Sequence, residues 1–144
     1  PGLMRRIHEA KLKSFAEVTV WGTGKPKREM LYTDDLARGC IKLLLSSDNL
    51  FKKFRSADVF PIINIGSGNE LTIKELAEKI CEVVGYQGRL IFDHSKPDGT
   101  PRKVLDSNMI RSFGWRPTVA LDQGIQVTYQ DFLTRTGSVP VLQE

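Results

Sequence analysis

Apolar residues recur along this chain with two periods that alternate. Leu3, Met4, Ile7 and Ala10 fall at helical spacing, and the alternation in EVTVWG predicts a short half-buried strand over 17–22. REMLYT (28–33) reads as a second strand. After it, Leu36, Ala37, Cys40, Ile41, Leu44 and Leu45 make one apolar helix face, with Thr33 as its cap and Asp34 and Asp35 in the first turn, where the helix dipole favours anions.

Residues 46–58 are polar and read as a surface connection. FPIINIGSG (60–68) predicts a buried strand ending in a glycine turn, and TIKE (72–75) a capping box that opens a helix carried by Ile73, Leu76, Ala77, Ile80 and Val84 and closed by Gly85. A strand follows in GRLIFD (88–93), then the charged loop SKPDGTPRK (95–103), a short helix over 107–113, and a helix over 121–133 with Leu121, Ile125, Thr128 and Phe132 on one face. Residues 134–144 read as a flexible tail. The sum is one mixed α/β layer structure of helices against a few short strands.

Composition narrows the function classes. With 144 residues, 40% hydrophobic and 26% charged, the chain can bury one core, and its net charge of +4 makes an anionic partner the first expectation. Cys40 and Cys81 sit in apolar patterns without a CxxC or histidine cluster, which predicts buried free thiols in a reducing compartment rather than disulfides or a zinc site. No apolar run approaches the roughly 20 residues of a membrane span, so the reading is cytoplasmic. The first residues, PGLMRRIHEA, lack an initiator methionine and read as cut from something longer.

Catalytic motifs are sparse. WGTGK (21–25) and GSGNE (66–70) each hold a GxG but lack the third glycine and the strand-to-helix context of a dinucleotide fingerprint, and so read as turns. Tyr32, Tyr86 and Tyr129 are followed four residues later by Leu36, Leu90 and Leu133, never by the lysine of a Tyr–Lys pair.

Binding chemistry is richer. Arg6, Arg28 and Lys103 offer donors for a diphosphate, Trp21 a flat wall for a sugar or base, and Asp98 acceptors for sugar hydroxyls, with Gly99 allowing close backbone approach. Each has a plainer reading too: Arg6 as a solvated helix residue, Trp21 as core, Asp98 as a turn former. His8 and His94 lack metal-ligand spacing and read as structural or solvated, and Trp115 as packing. A basic nucleic-acid module using Lys11, Lys13, Lys52, Lys53 and Arg55 is a rival, opposed by the absence of RRM, KH or zinc signatures.

Taken in order, the motifs resemble a known family. VTVWGTGKPKREMLYTDDLARG and INIGSGNELTIKELAEKI are similar to successive segments of the extended short-chain dehydrogenases, and SKPDGTPRKVLD after GYQGRLIFD, with RRIHEA upstream, resembles the GDP-L-fucose synthase family. The resemblance runs from Pro1 to about Leu133 and implies the carboxyl-terminal, GDP-sugar-binding domain of an NADP-dependent epimerase/reductase; the corresponding domain of another nucleotide-sugar epimerase or dehydratase is the alternative, opposed by the SKPDGTPRK loop. It implies that the Rossmann half with the NADP site and all catalytic residues lies outside this chain, that nucleic acid is not a partner, and that the complete protein is a homodimer. By resemblance, Arg6, Trp21, Arg28, Asp98 and Lys103 are the substrate-binding residues.

Overall fold

The computed structural model describes residues 2–46 and 62–137. Among them the elements run α1 (Gly2–Leu12), β1 (Glu17–Trp21), β2 (Lys27–Glu29), α2 (Thr33–Leu44), β3 (Glu70–Thr72), α3 (Ile73–Val84), β4 (Arg89–Asp93), β5 (Arg102–Lys103), α4 (Asn108–Ser112) and α5 (Leu121–Arg135). The mixed α/β class is as predicted. The predicted connection over 46–58, with Lys52, Lys53 and Arg55, and the tail beyond Gly137 lie outside the described residues, Ser46 excepted. The three short strands form one ladder in the order β3-β2-β5. The chain divides into two compact units: the described parts of Pro1–Arg28, Leu71–Arg102 and Leu121–Glu144, and those of Glu29–Glu70 and Lys103–Ala120.

In the first unit β1 and β4 pair in parallel, from Glu17 opposite Arg89 to Trp21 opposite Asp93. The period-two alternation of β1 turns Val18 and Val20 into the core and leaves Glu17, Thr19 and Trp21 outward. Met4, Ile7 and Ala10 of α1, Ile80 and Val84 of α3, and Ile125 and Tyr129 of α5 complete that core. Each large apolar side chain removed from water there contributes about 1.5–3 kcal/mol before entropy is counted.

Local signals in this unit behave as the sequence predicts. Thr72 Oγ1 accepts from Glu75 N at 3.1 Å while the Glu75 carboxylate accepts from Thr72 N at 2.7 Å, so the capping box is complete. Gly85 ends α3 in the left-handed region at φ 71°. Lys11 Nζ donates to Val84 O at 2.7 Å, placing a cation on the carbonyl end of that helix. His8 is buried with Nδ1 3.0 Å from Tyr129 Oη, a satisfied core pair, as its structural reading expects.

The second unit corrects several expectations. Strand β2 stops at Glu29, so Met30–Tyr32 do not extend it, and Tyr32 rather than Thr33 is the N-cap of α2, without a side-chain cap bond. Residues 62–69 form no strand, and Phe60 and Pro61 lie outside the described residues. A strand needs ladder partners; here Ile65 instead packs by its side chain against α2 at Gly39, where an added Cβ would lie 3.1 Å from it.

Helix α2 also turns the opposite way from its apolar pattern. Its buried residues are Asp35 and Gly39, while Leu36, Ile41, Leu44 and Leu45 are exposed. Cys40, expected to be buried, is exposed as well, and Cys81 is half-buried with burial pushing its thiol pKa up; both are free. The rotation of α2 is set by hydrogen bonding. The Asp35 carboxylate accepts from Thr118 N at 2.9 Å, Val119 N at 3.0 Å and Thr118 Oγ1 at 3.1 Å, and from Arg38, while Trp115 Nε1 donates to Asp35 O at 3.2 Å. Trp115 is buried, as its packing role predicts.

Candidate functional site

Four of the five residues implied by the resemblance lie in the first unit, around the end of β1. Trp21 is the last residue of that strand on its outward face, and at 67% exposure its ring is open to solvent, which removes the core reading. Arg6, on the exposed side of α1, donates from Nη1 to Thr19 O at 3.2 Å, tying it to the same strand two residues before the tryptophan. Lys103, on β5, belongs to the second unit and is exposed.

The charged loop is fixed by bonds spread along its length. Gly22 N donates to Asp93 O at 3.0 Å, and Lys27 N to Pro101 O at 2.8 Å. Arg28 Nη1 donates to Lys27 O and to Thr100 O, each at 2.7 Å. Between these, Asp98 Oδ1 accepts from Thr23 N at 2.8 Å and Oδ2 from Thr23 Oγ1 at 2.6 Å. Ser95 N and Oγ donate to Asp93 Oδ1 at 3.0 and 2.6 Å, closing the turn at the start of the loop.

Two glycines make this fit. Gly22 sits at φ 82°, and a Cβ there would lie 2.2 Å from Asp98 Oδ1. At Gly99 a Cβ would lie 3.1 Å from Arg28 Nη2, so a side chain there would press on the guanidinium.

The charges are settled by these contacts. The hydroxyl and amide of Thr23 hold the Asp98 carboxyl below its usual range, with His94 and Lys25 adding to the effect, and the Ser95 bonds do the same for Asp93. Both aspartates are therefore anionic at neutral pH, amid Lys25, Lys96 and Arg28. Each Asp98 oxygen receives one bond from Thr23 and retains a further acceptor position. The arrangement is an open aromatic ring beside a rigid, mainly cationic loop with fixed acceptors, suited to a ligand that is flat at one end and anionic and hydroxylated elsewhere.

A dinucleotide does not fit the glycine turns of this chain. The turn at Gly22–Gly24 leads from β1 to β2 and that at Gly66–Gly68 leads into β3, so neither opens a helix whose N-terminus would receive a pyrophosphate. Their amides are also engaged by internal carboxylates: Thr23 N by Asp98, and Gly68 N by Glu29, whose other oxygen accepts from Leu105 N at 3.0 Å. Among the described residues no cluster of three or more His, Cys, Asp or Glu is placed to hold a metal, and no helix is long and apolar enough to cross a membrane.

In the second unit a groove of about 610 Å³ lies beside α2, lined by Arg38, Ile41, Lys42, Leu45, Phe113 and Trp115 among others. None of the residues implied by the resemblance lines it. Thr23 and Asp35 are the residues that sequence reasoning missed. Thr23 reads as a spacer inside GTG, and Asp35 as a helix-dipole residue; nothing in their immediate neighbours signals Asp98 or Thr118, 75 and 83 positions away.

The NAD dependent epimerase/dehydratase family model matches residues 1–66. Over 130 residues the chain is 52% identical to the probable GDP-L-fucose synthase 1 of Oryza sativa subsp. japonica, covering 90% of this chain and 37% of that protein. It is 44% identical over 133 residues to the GDP-L-fucose synthase of Escherichia coli strain K12, covering 92% and 41%. The structure matches that of a GDP-L-fucose synthetase from Naegleria fowleri bound to NADP with a TM-score of 0.79 and 26% identity, over 96% of this chain and 41% of that one. The chain thus spans well under half the length of these relatives.

Proposed function

We propose that this chain is a member of the NAD dependent epimerase/dehydratase family within the extended short-chain dehydrogenases, a reading supported by the match over residues 1–66 and by its similar relatives, and that it is the GDP-sugar-binding part of a GDP-L-fucose synthase, formed by residues 1–133. In this reading the complete enzyme converts GDP-4-keto-6-deoxy-D-mannose to GDP-L-fucose by 3,5-epimerisation and 4-keto reduction. NADP and the catalytic residues belong to a Rossmann half outside this chain, and these 144 residues alone turn over no substrate.

The observation that supports this most is the loop 93–101, bonded at Asp93, Asp98, Thr100 and Pro101 to residues 22–28 beside an exposed Trp21. A loop already ordered in the free protein loses little further entropy when ligand binds, so its contacts appear as affinity. Trp21 would stack on a planar or sugar ring, and Arg6 and Arg28 would meet the diphosphate oxygens. Asp98 would accept from hydroxyls through its remaining acceptor positions. Holding the nucleotide in this way positions the distant sugar carbonyl for chemistry carried out elsewhere.

Calorimetry of GDP, with UDP as control, tests the assignment. Arg28→Ala and Trp21→Ala are each expected to weaken GDP binding about tenfold or more. Trp21→Ala is the sharper of the two, because the exposed ring carries none of the loop's bonds. Unchanged affinity in both would remove the site from this face of the protein.

A further inference from the structure

We propose that Thr23 is a positioning residue of the nucleotide-sugar site, holding the tip of the loop 93–101 in its binding geometry through Asp98, an inference that rests on the GDP-sugar reading above. Thr23 engages both carboxylate oxygens at once, Oδ1 through its amide at 2.8 Å and Oδ2 through its hydroxyl at 2.6 Å. The same hydroxyl oxygen accepts from Lys25 N at 3.2 Å, so one group locks the WGTG turn and, through Asp98, the loop. Gly22 permits the contact, since any Cβ there would occupy the position of Asp98 Oδ1.

The ends of the loop are held by other bonds, at Asp93 and at Thr100 and Pro101. Asp98 lies between them in KPDGTP, where its carboxylate can turn either to Thr23 or to solvent. With the clasp closed, both Asp98 oxygens are oriented and Gly99 lies against Arg28; with it open, ligand must order the tip itself, and affinity falls by that cost. The role is chemically narrow: it needs a hydroxyl that donates and accepts simultaneously, which serine supplies and valine does not.

The test compares wild type, Thr23→Ser, Thr23→Val and Arg28→Ala in GDP titrations by calorimetry, with thermal melts and an NMR pH titration of the Asp98 carboxyl. Thr23→Val should weaken GDP binding about tenfold with the melting temperature unchanged within about 2 °C, and Thr23→Ser should stay within about twofold of wild type. The Asp98 titration should move up toward the usual carboxylate range in Thr23→Val and return in Thr23→Ser, a shift that general destabilisation would not produce. If Thr23→Val binds GDP as wild type does while Arg28→Ala is weakened, the positioning role is wrong and the GDP reading stands. If Thr23→Val leaves the Asp98 titration where it was, the clasp is refuted without reference to any ligand. A folded wild-type chain that binds no GDP overturns the reading and this role together.

Discussion

Helices α2 and α3 are both twelve residues long and both amphipathic, yet they settle in opposite ways. In α3 the apolar stripe of Ala77, Ile80 and Val84 is buried, and the helix is closed at both ends by the Thr72–Glu75 box and Gly85. In α2 the apolar residues Leu36, Ile41 and Leu44 are exposed, as is Leu45 at its C-cap, and the buried side holds Asp35 and Gly39. Periodicity specifies that a helix forms and that it has two faces. Which face turns inward is decided by the partners available, and a buried carboxylate receiving several hydrogen bonds can outweigh an apolar stripe.

The comparison breaks most readily at α3. Ile80→Ala should cost about 2–5 kcal/mol, read as a lower urea midpoint, because it opens a cavity in the core between α1, α3 and α5. A loss below about 1 kcal/mol would mean that α3 is no better anchored than α2.

Asp35→Ala comes next, at about 2–3 kcal/mol, since it leaves the amides of Thr118 and Val119 without their acceptor. The same residue gives α2 a pH signature. Burial pushes the Asp35 pKa up, but the bonds from Thr118, Val119 and Arg38 outweigh it and hold the carboxyl below its usual range. Its contribution is therefore present above the ordinary carboxylate pKa, near pH 4, and is lost as pH falls through the lowered value. Asp35→Asn should shrink the acid limb of a stability profile below about pH 4. It should not abolish it, because Asp93, Asp98, Glu75 and Glu9 are held low as well.

The smallest effect belongs to the outer side of α2. Leu44→Gln, at a position 82% exposed, should change stability by less than about 0.5 kcal/mol in the same denaturation series. A loss as large as that at Ile80 would show Leu44 to be covered in solution.

The candidate site divides along similar lines. Trp21, Arg28 and Asp98 stood out as candidates because a tryptophan at a strand end, a forked cation and an acid between prolines suggest binding chemistry in sequence, and the family resemblance singled them out as substrate-binding. Thr23 was not, because its role comes from an acid 75 positions away. His8 shows the plainer outcome: its lack of metal-ligand spacing pointed to structure, and Tyr129, 121 positions on, supplies the partner.

By itself the sequence determined the features that depend on near neighbours: the helices of α1, α3 and α5, the capping box, the alternation of β1 and the glycine turns. Those signals arise from backbone sterics and from hydrogen bonds closed within a few residues. Only the tertiary structure decided the rotation of α2, the absence of a strand over 62–69, the exposure of Cys40 and the locking of the charged loop. Each of these depends on which distant donor or side chain meets a group on folding, and neither hydrophobic period nor residue type encodes that meeting.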